Sequence, residues 1–152
     1  MSSQPAPSLE MPSLSAAEPR LPWALPGLRA LTRSRAADVG GRRLRVWVAG
    51  CATGAGPSEL MIVARALSEL PDGGVIFGTD RDPIALQELD VPRFPSVDIW
   101  LRLSDPVGVS DRRDHDLVLC RGVVATLEAE YRDAVVETLR RSVLPGGALV
   151  LG

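Results

Sequence analysis

Residues Arg45 to Gly56, RVWVAGCATGAG, constrain the fold of this chain more than any other stretch. Val46, Trp47 and Val48 stand in a row, the β-branched and aromatic content of a strand buried on both faces of a sheet. Gly50, Gly54 and Gly56 then open the backbone where a side chain would block a close approach. Pro57 follows with a fixed φ that suits the first position of a helix. From there Leu60, Val63, Ala64, Leu67 and Leu70 recur at helical spacing, one apolar stripe over about four turns. A strand, a glycine turn and a helix N-terminus make the opening unit of a nucleotide-type site, because free N–H groups and the positive end of the dipole face the ligand.

Glycines after a strand also serve plain tight turns, so the next element carries weight. Gly74 to Thr79 reads as a second strand that ends in Asp80. An acid there, 24 residues beyond Gly56, stands where such folds bind ribose hydroxyls.

Downstream, Asp82-Pro83 predicts an N-cap and N1 proline for a short helix, Ile84 to Leu89, which Pro92 and Pro95 prevent from continuing. Asp82 thus has a structural task, and Asp80 is the better ligand candidate. Val97, Ile99, Leu101 and Leu103 alternate with Asp98, Trp100 and Arg102, a half-exposed strand near a sheet edge. A polar loop, Ser104 to Asp114, leads to a buried strand, Leu117 to Cys120. Thr126 is the expected cap of a helix in which Leu127, Tyr131, Val135 and Leu139 step by four, with Glu128 and Glu130 at the positive end of its dipole. Pro145-Gly146-Gly147 turns the chain into a last strand, Ala148 to Leu151. The order β-α-β-α-β-β-α-β predicts a Rossmann-like α/β fold with about five strands in a mostly parallel sheet covered on both faces.

Upstream, residues 1 to 24 carry five prolines among Ser and Ala without periodicity, and are expected to form a disordered tail before a domain at 25 to 152. Leu25, Leu28 and Leu31 predict a short amphipathic helix over 25 to 37. Six arginines between Arg29 and Arg45 form the main basic cluster, read as a solvated helix face or, alternatively, a surface for an anionic partner.

With 152 residues there is enough chain for one domain with a real core. The net charge of -2 exerts no pull toward nucleic acid, and no apolar run is long enough to span a bilayer. The N-terminus has neither a basic nor an apolar leader region, so a cytoplasmic protein is expected, with Cys51 and Cys120 as reduced, buried thiols. One histidine, His115, expected in a charged loop, cannot assemble a metal site with them. All seventeen basic residues are Arg, which excludes lysine Schiff bases, a P-loop lysine and a Tyr-x-x-x-Lys pair.

From about Trp23 to Gly152 the chain resembles the chemoreceptor glutamate methyltransferases, the CheR-type family, through RVWVAGCATGAGP, GTDRDPIAL, and HDLVLCRGVV with LPGGALVLG. The family's versions read like RVWSAGCSTGEEPYS, TDID with an AL, and FDVIFCRNVLIYF with LKPGGLLFLG. The resemblance implies S-adenosylmethionine as cofactor, with Gly50, Cys51, Ala52, Thr53 and Gly54 cradling its methionine and ribose part and Asp80 taking the ribose hydroxyls. It also implies Arg121 in the site floor, as catalytic and cofactor-binding residue, and Arg102 near the adenine. The reaction implied is methyl transfer to a carboxylate oxygen of a protein substrate, an in-line displacement that needs alignment more than acid-base help.

The chain departs from that pattern at several places. Ala55 and Gly56 replace two glutamates that would hold the cofactor's ammonium end, and Glu59, one turn further, is the candidate substitute. Gly122 replaces an Asn, Thr126 a substrate-placing Tyr, and Arg102 the Asn of an Asn-Leu pair. The family's preceding helical domain, its docking subdomain and its closing strand hairpin have no counterpart. Three readings follow: a small methyltransferase, whole or truncated; a non-catalytic cofactor- or partner-binding module; and a nicotinamide oxidoreductase, weakened because Tyr131 has Val135 where a lysine is required. Without the hairpin, Ala148 to Leu151 is expected to be an open edge that invites dimerisation or a partner.

Overall fold

The computed structural model describes residues 8–10, 21–104, 114–121, 124 and 127–152, with side chains from position 25 onward. In chain order the elements are β1 (Ser8–Glu10), α1 (Leu21–Asp38), β2 (Leu44–Ala49), α2 (Gly56–Ser68), β3 (Gly74–Asp80), α3 (Pro83–Glu88), β4 (Val97–Leu103), β5 (His115–Cys120), α4 (Ala129–Arg141) and β6 (Val143–Leu151). The strands form one sheet in the order β1-β6-β5-β2-β3-β4, and every neighbouring pair is parallel. The five strands expected from the sequence are all present, joined by β1 as a short sixth.

Burial on both faces explains the apolar runs in the central strands. On one face Val46, Val48, Ile76, Leu117, Leu119 and Val150 pack against α2 and α1. The α2 stripe expected at Leu60, Val63, Ala64, Leu67 and Leu70 is buried, and so are Ile62 and Ala66. The wider apolar arc follows from α2 packing against both the sheet and α1, so that it must shed water on two sides. On the other face Trp47, Ala49, Val118, Cys120 and Leu149 pack under α4, through Val135 and Leu139 with Leu127 and Tyr131 beside them.

α4 begins at Ala129 with Glu128 at its N-cap and no side-chain capping bond, so the helix starts later than expected; Thr126 and Gly122 lie outside the described residues. The N-terminal region also differs from expectation. α1 starts at Leu21, and Ser8–Glu10, placed in a disordered tail by composition, pairs with Leu149–Leu151 on the outer edge of β6. The edge expected to lie open is therefore occupied, because a parallel strand can add there wherever unpaired N–H and C=O groups remain. The other edge of the sheet is β4, as its alternating pattern predicts.

The basic cluster is largely an internal device. Arg35 and Arg42 both donate to Asp116, which also accepts the Arg45 backbone N–H. Arg29 pairs with Glu69, and Arg43 with Asp98 and the Gly74 and Ser96 carbonyls. These bonds tie α1 and the entry to β2 to the N-terminal ends of β3, β4 and β5, away from the glycine turn. His115, expected in a loop, is the first residue of β5 and meets Trp47 at a tilt and Phe77 edge-on, at 5.6 and 5.5 Å between ring centres. Burial lowers its pKa, with Asp114 opposing and Arg45 reinforcing the shift.

Candidate functional site

After β2 the chain crosses by α2 to β3 on one side, and later returns to place β5 on the other side of β2. The connections diverge at the C-terminal ends of β2 and β5, leaving the crevice where open α/β sheets bind ligands. The sequence puts its glycine turn, residues 50–56, there.

The last residues of β3 hold that turn in place. The Thr79 carbonyl accepts from both the Gly50 and Cys51 N–H groups, at 2.7 and 2.9 Å. Asp80 Oδ2 accepts the Ala52 N–H at 2.9 Å and the Thr53 hydroxyl at 3.1 Å, while Oδ1 accepts the Asp82 N–H at 2.9 Å. Asp80 is 3% exposed. A carboxylate has about four acceptor positions, and three are in use. The candidate ribose acid is thus also the brace of the turn, a second task that the sequence pattern does not signal.

Glycine is required in the turn for two different reasons. Gly54 has φ 57°, a left-handed backbone, and no atom within 4 Å of where a β-carbon would stand, so its face opens onto free space. Gly56 is the reverse case: a β-carbon there would collide with the Gly50 carbonyl oxygen. Of the two positions where the family carries glutamates, one therefore cannot hold any side chain in this backbone. α2 opens with no side-chain cap and with Pro57 among its first residues, so the peptide groups of its first helical turn are not masked by a capping side chain.

Beneath the turn lies a buried ion pair. Arg121, at the end of β5, donates through Nη1 to Glu59 Oε1 at 2.6 Å. The two residues are 3% and 1% exposed. Glu59 Oε2 has no hydrogen-bond partner among the described residues. Burial raises the Glu59 pKa, and the Arg121 guanidinium offsets only part of that. The structure thus brings together Glu59, the candidate substitute for the missing glutamates, and Arg121, the candidate floor residue, but it joins them to each other.

The remaining candidates separate. Cys51 is fully buried and touches the position of Gly78, and burial pushes its thiol up to about 12, with the Asp80 charge adding to the shift. Burial likewise pushes Cys120 up to about 12. Both behave as small apolar groups rather than nucleophiles. Arg102 stands exposed near the end of β4, opposite Thr79 in register. Asp82 caps α3 by accepting from the Ile84 and Ala85 N–H groups at 3.0 and 3.2 Å, as its sequence predicts. Among the described residues no group of His, Cys, Asp and Glu is arranged to hold a metal, and no helix is long and apolar enough to cross a membrane.

No family model matches the chain, and no curated protein matches it. Solved structures do match in three dimensions. The trans-methyltransferase CalH, in complex with SAH, superimposes with a TM-score of 0.58 at 16% identity, covering 86% of this chain and 37% of that one. The N-methyltransferase NodS from Bradyrhizobium japonicum WM9 superimposes with a TM-score of 0.55 at 19% identity, covering 86% and 67%. DhpI, in a complex with SAM and HEP, gives 0.52 at 24% identity, covering 88% and 55%. The chain thus spans between about a third and two thirds of the length of these proteins. It has the Rossmann-like α/β fold found in these methyltransferases, with the glycine turn at the sheet's switch point.

Proposed function

We propose that this chain is an S-adenosylmethionine-dependent methyltransferase domain resembling the chemoreceptor glutamate methyltransferases, with a carboxylate-bearing protein as substrate. The observation that carries the reading is the turn itself: a left-handed, open Gly54 and an uncapped helix start, braced from below by Thr79 and Asp80 at the switch point. The fold shared with methyltransferase structures complexed with SAH supports it.

The residues fit such a cofactor in part. Asp80 retains roughly one free acceptor position for a ribose hydroxyl, and the Thr53 hydroxyl, 3.1 Å from it, could exchange partners to free a second. Gly54 gives the cofactor a surface without a β-carbon. Glu59 Oε2 is the acceptor nearest in kind to the missing carboxylates, and it reaches an ammonium only if the turn above it opens. When bound, S-adenosylmethionine supplies a methyl group activated on a sulfonium. The protein's part is to exclude water and align the acceptor, since an in-line transfer gains most from orientation. Arg121 would meet a substrate carboxylate only by giving up its 2.6 Å bond to Glu59.

A second reading has its own observation. Arg121 and Glu59 neutralise each other inside the protein, and Gly56 excludes the side chain that would restore the family's carboxylate. A binding module that holds the cofactor without transferring its methyl group is consistent with both.

Calorimetric titration of the purified chain with S-adenosylmethionine, S-adenosylhomocysteine and NAD separates these. Binding of the two adenosyl ligands alone, weakened by roughly tenfold in Asp80→Asn through loss of a charged hydrogen bond, is the expected result. Methyl transfer to a panel of carboxylate-bearing proteins then selects the enzyme; binding without transfer selects the module. A folded chain that binds neither adenosyl ligand overturns both.

A further inference from the structure

The two edges of the sheet are unlike. β6 is covered by β1, whereas among the described residues only β3 pairs with β4, and the outer side of β4 is met by a single bridge from Phe94 to Val97. β4 is seven residues long and carries Trp100, Leu101 and Leu103 at 65%, 37% and 57% exposure. It contains none of the lysines, prolines or bulges that usually blunt an exposed edge.

Hydrogen bonding shows which of its backbone groups are available. Ser96 accepts the Gly74 N–H, and Ser104 donates to Asp80, so the even-numbered residues of this segment address β3. By the two-residue period of a strand, Ile99, Leu101 and Leu103 then present their N–H and C=O groups outward. Asp98, Trp100 and Arg102 share one face of the sheet, and Trp100 continues a row formed by Trp47 and Phe77 in register across β2, β3 and β4. That row runs from a buried Trp47 to an exposed Trp100, on the side where α4 covers only the far half of the sheet.

The sequence of β4, VDIWLRL, is self-complementary about Trp100. An antiparallel second copy with its two-fold axis at Trp100 sets Asp98 opposite Arg102 at two places, Trp100 opposite Trp100, and Ile99 opposite Leu101. The register agrees with the backbone directions. The Ile99–Leu101 pairs would exchange N–H and C=O groups, while Asp98–Arg102 and Trp100–Trp100 would fall at the non-hydrogen-bonded positions, where side chains approach closest. Asp98 already pairs with Arg43 at 2.8 Å, but through Oδ2, and with both groups exposed its other oxygen can face a second arginine. We infer that the chain forms an isologous dimer through antiparallel β4–β4 pairing, which joins two sheets into one and continues the aromatic row across the axis. One strand pair is a small interface, so the association is reversible, in roughly the micromolar range.

Sedimentation velocity across micromolar to sub-millimolar concentrations tests this on the full chain, with circular dichroism as the folding control. The wild type should pass from monomer to dimer. Arg102→Glu puts like charges opposite one another and should weaken self-association by roughly tenfold or more, as should Asp98→Arg. An equimolar mixture of these two variants sets an acidic edge against a basic one and should restore dimers. Leu101→Pro removes an outward N–H without breaking a bond to β3, and should give a folded monomer. A wild type monomeric throughout, an Arg102→Glu or Leu101→Pro chain that associates as the wild type does, or a mixture that stays monomeric while the wild type dimerises would overturn the inference.

Discussion

Arg121 at the end of β5 and Glu59 in the first turn of α2 meet at 2.6 Å in the interior, each almost sealed from solvent. Burying a carboxylate and a guanidinium costs solvation, which is offset in part because each supplies the other's counter-charge. Replacing Arg121 with Met, leaving Glu59 in place, should cost about 3–5 kcal/mol, as expected when one partner of a buried pair is removed. The double variant Glu59→Leu/Arg121→Met should recover most of that loss. Urea unfolding of the two single variants and the double variant measures the coupling directly.

Two buried carboxylates should respond to pH in opposite senses. The folded-state pKa of Glu59 is raised by burial, so its contribution to stability is complete below the ordinary Glu value of about 4.3 and is lost as pH rises through the folded value. The stability of the wild type minus that of Glu59→Gln should therefore fall between pH 4 and neutrality.

Asp116 has the contrary sign. Burial alone would raise its pKa, but bonds from Arg42, the Arg45 N–H and Arg35 outweigh it and hold the carboxyl below its ordinary value. Its contribution is complete above about pH 3.9 and is lost as pH falls through the folded value. Asp116→Asn should cost about 2–4 kcal/mol at pH 7, and the gap to the wild type should narrow in acid. Denaturant midpoints for both pairs across pH check the two slopes.

The glycines of the turn should divide stability from binding. Gly56→Ala drives a β-carbon into the Gly50 carbonyl and should destabilise by roughly 3 kcal/mol or more. Gly54→Ala meets no neighbour and should cost only about 1–2 kcal/mol for its left-handed backbone, yet should abolish adenosyl-ligand binding. Thermal melts beside calorimetric titrations distinguish the two patterns.

Thr53→Val removes a hydroxyl that occupies one Asp80 acceptor position at 3.1 Å. The chain should stay folded, losing about 0.5–1.5 kcal/mol for one hydrogen bond. Binding of S-adenosylhomocysteine should be unchanged or tighter, because the ribose no longer competes for that oxygen. A tenfold loss would mean that the Thr53 hydroxyl itself holds the ligand.

Much of the fold is legible locally. β4 spans the expected Val97–Leu103, β2, β3 and β5 fall within two residues of their expected starts, and Asp82 caps α3 as its neighbour Pro83 suggests. These elements are announced by period and by turn chemistry, which act between residues close in the chain. β1 is not legible locally, because three residues without periodicity form a strand only when an edge is offered, and the edge comes from residues 149–151. The helix cap expected at Thr126 fails as a prediction of where α4 starts, since Glu128 stands at its N-cap.

The sequence by itself determined the strand, glycine turn and helix that make the candidate site, and the period-two pattern that makes β4 an edge. Both depend on backbone freedom and side-chain alternation, properties of short stretches. Only the tertiary structure decided that Asp80, the candidate ribose acid, braces the turn, that Glu59 and Arg121 pair with each other, and that Arg35 and Arg42 converge on Asp116. Those pairings join residues 28 to 81 positions apart, and a buried charge takes whichever partner the packed sheet brings within reach, because leaving it unpaired costs more than any local preference can offset.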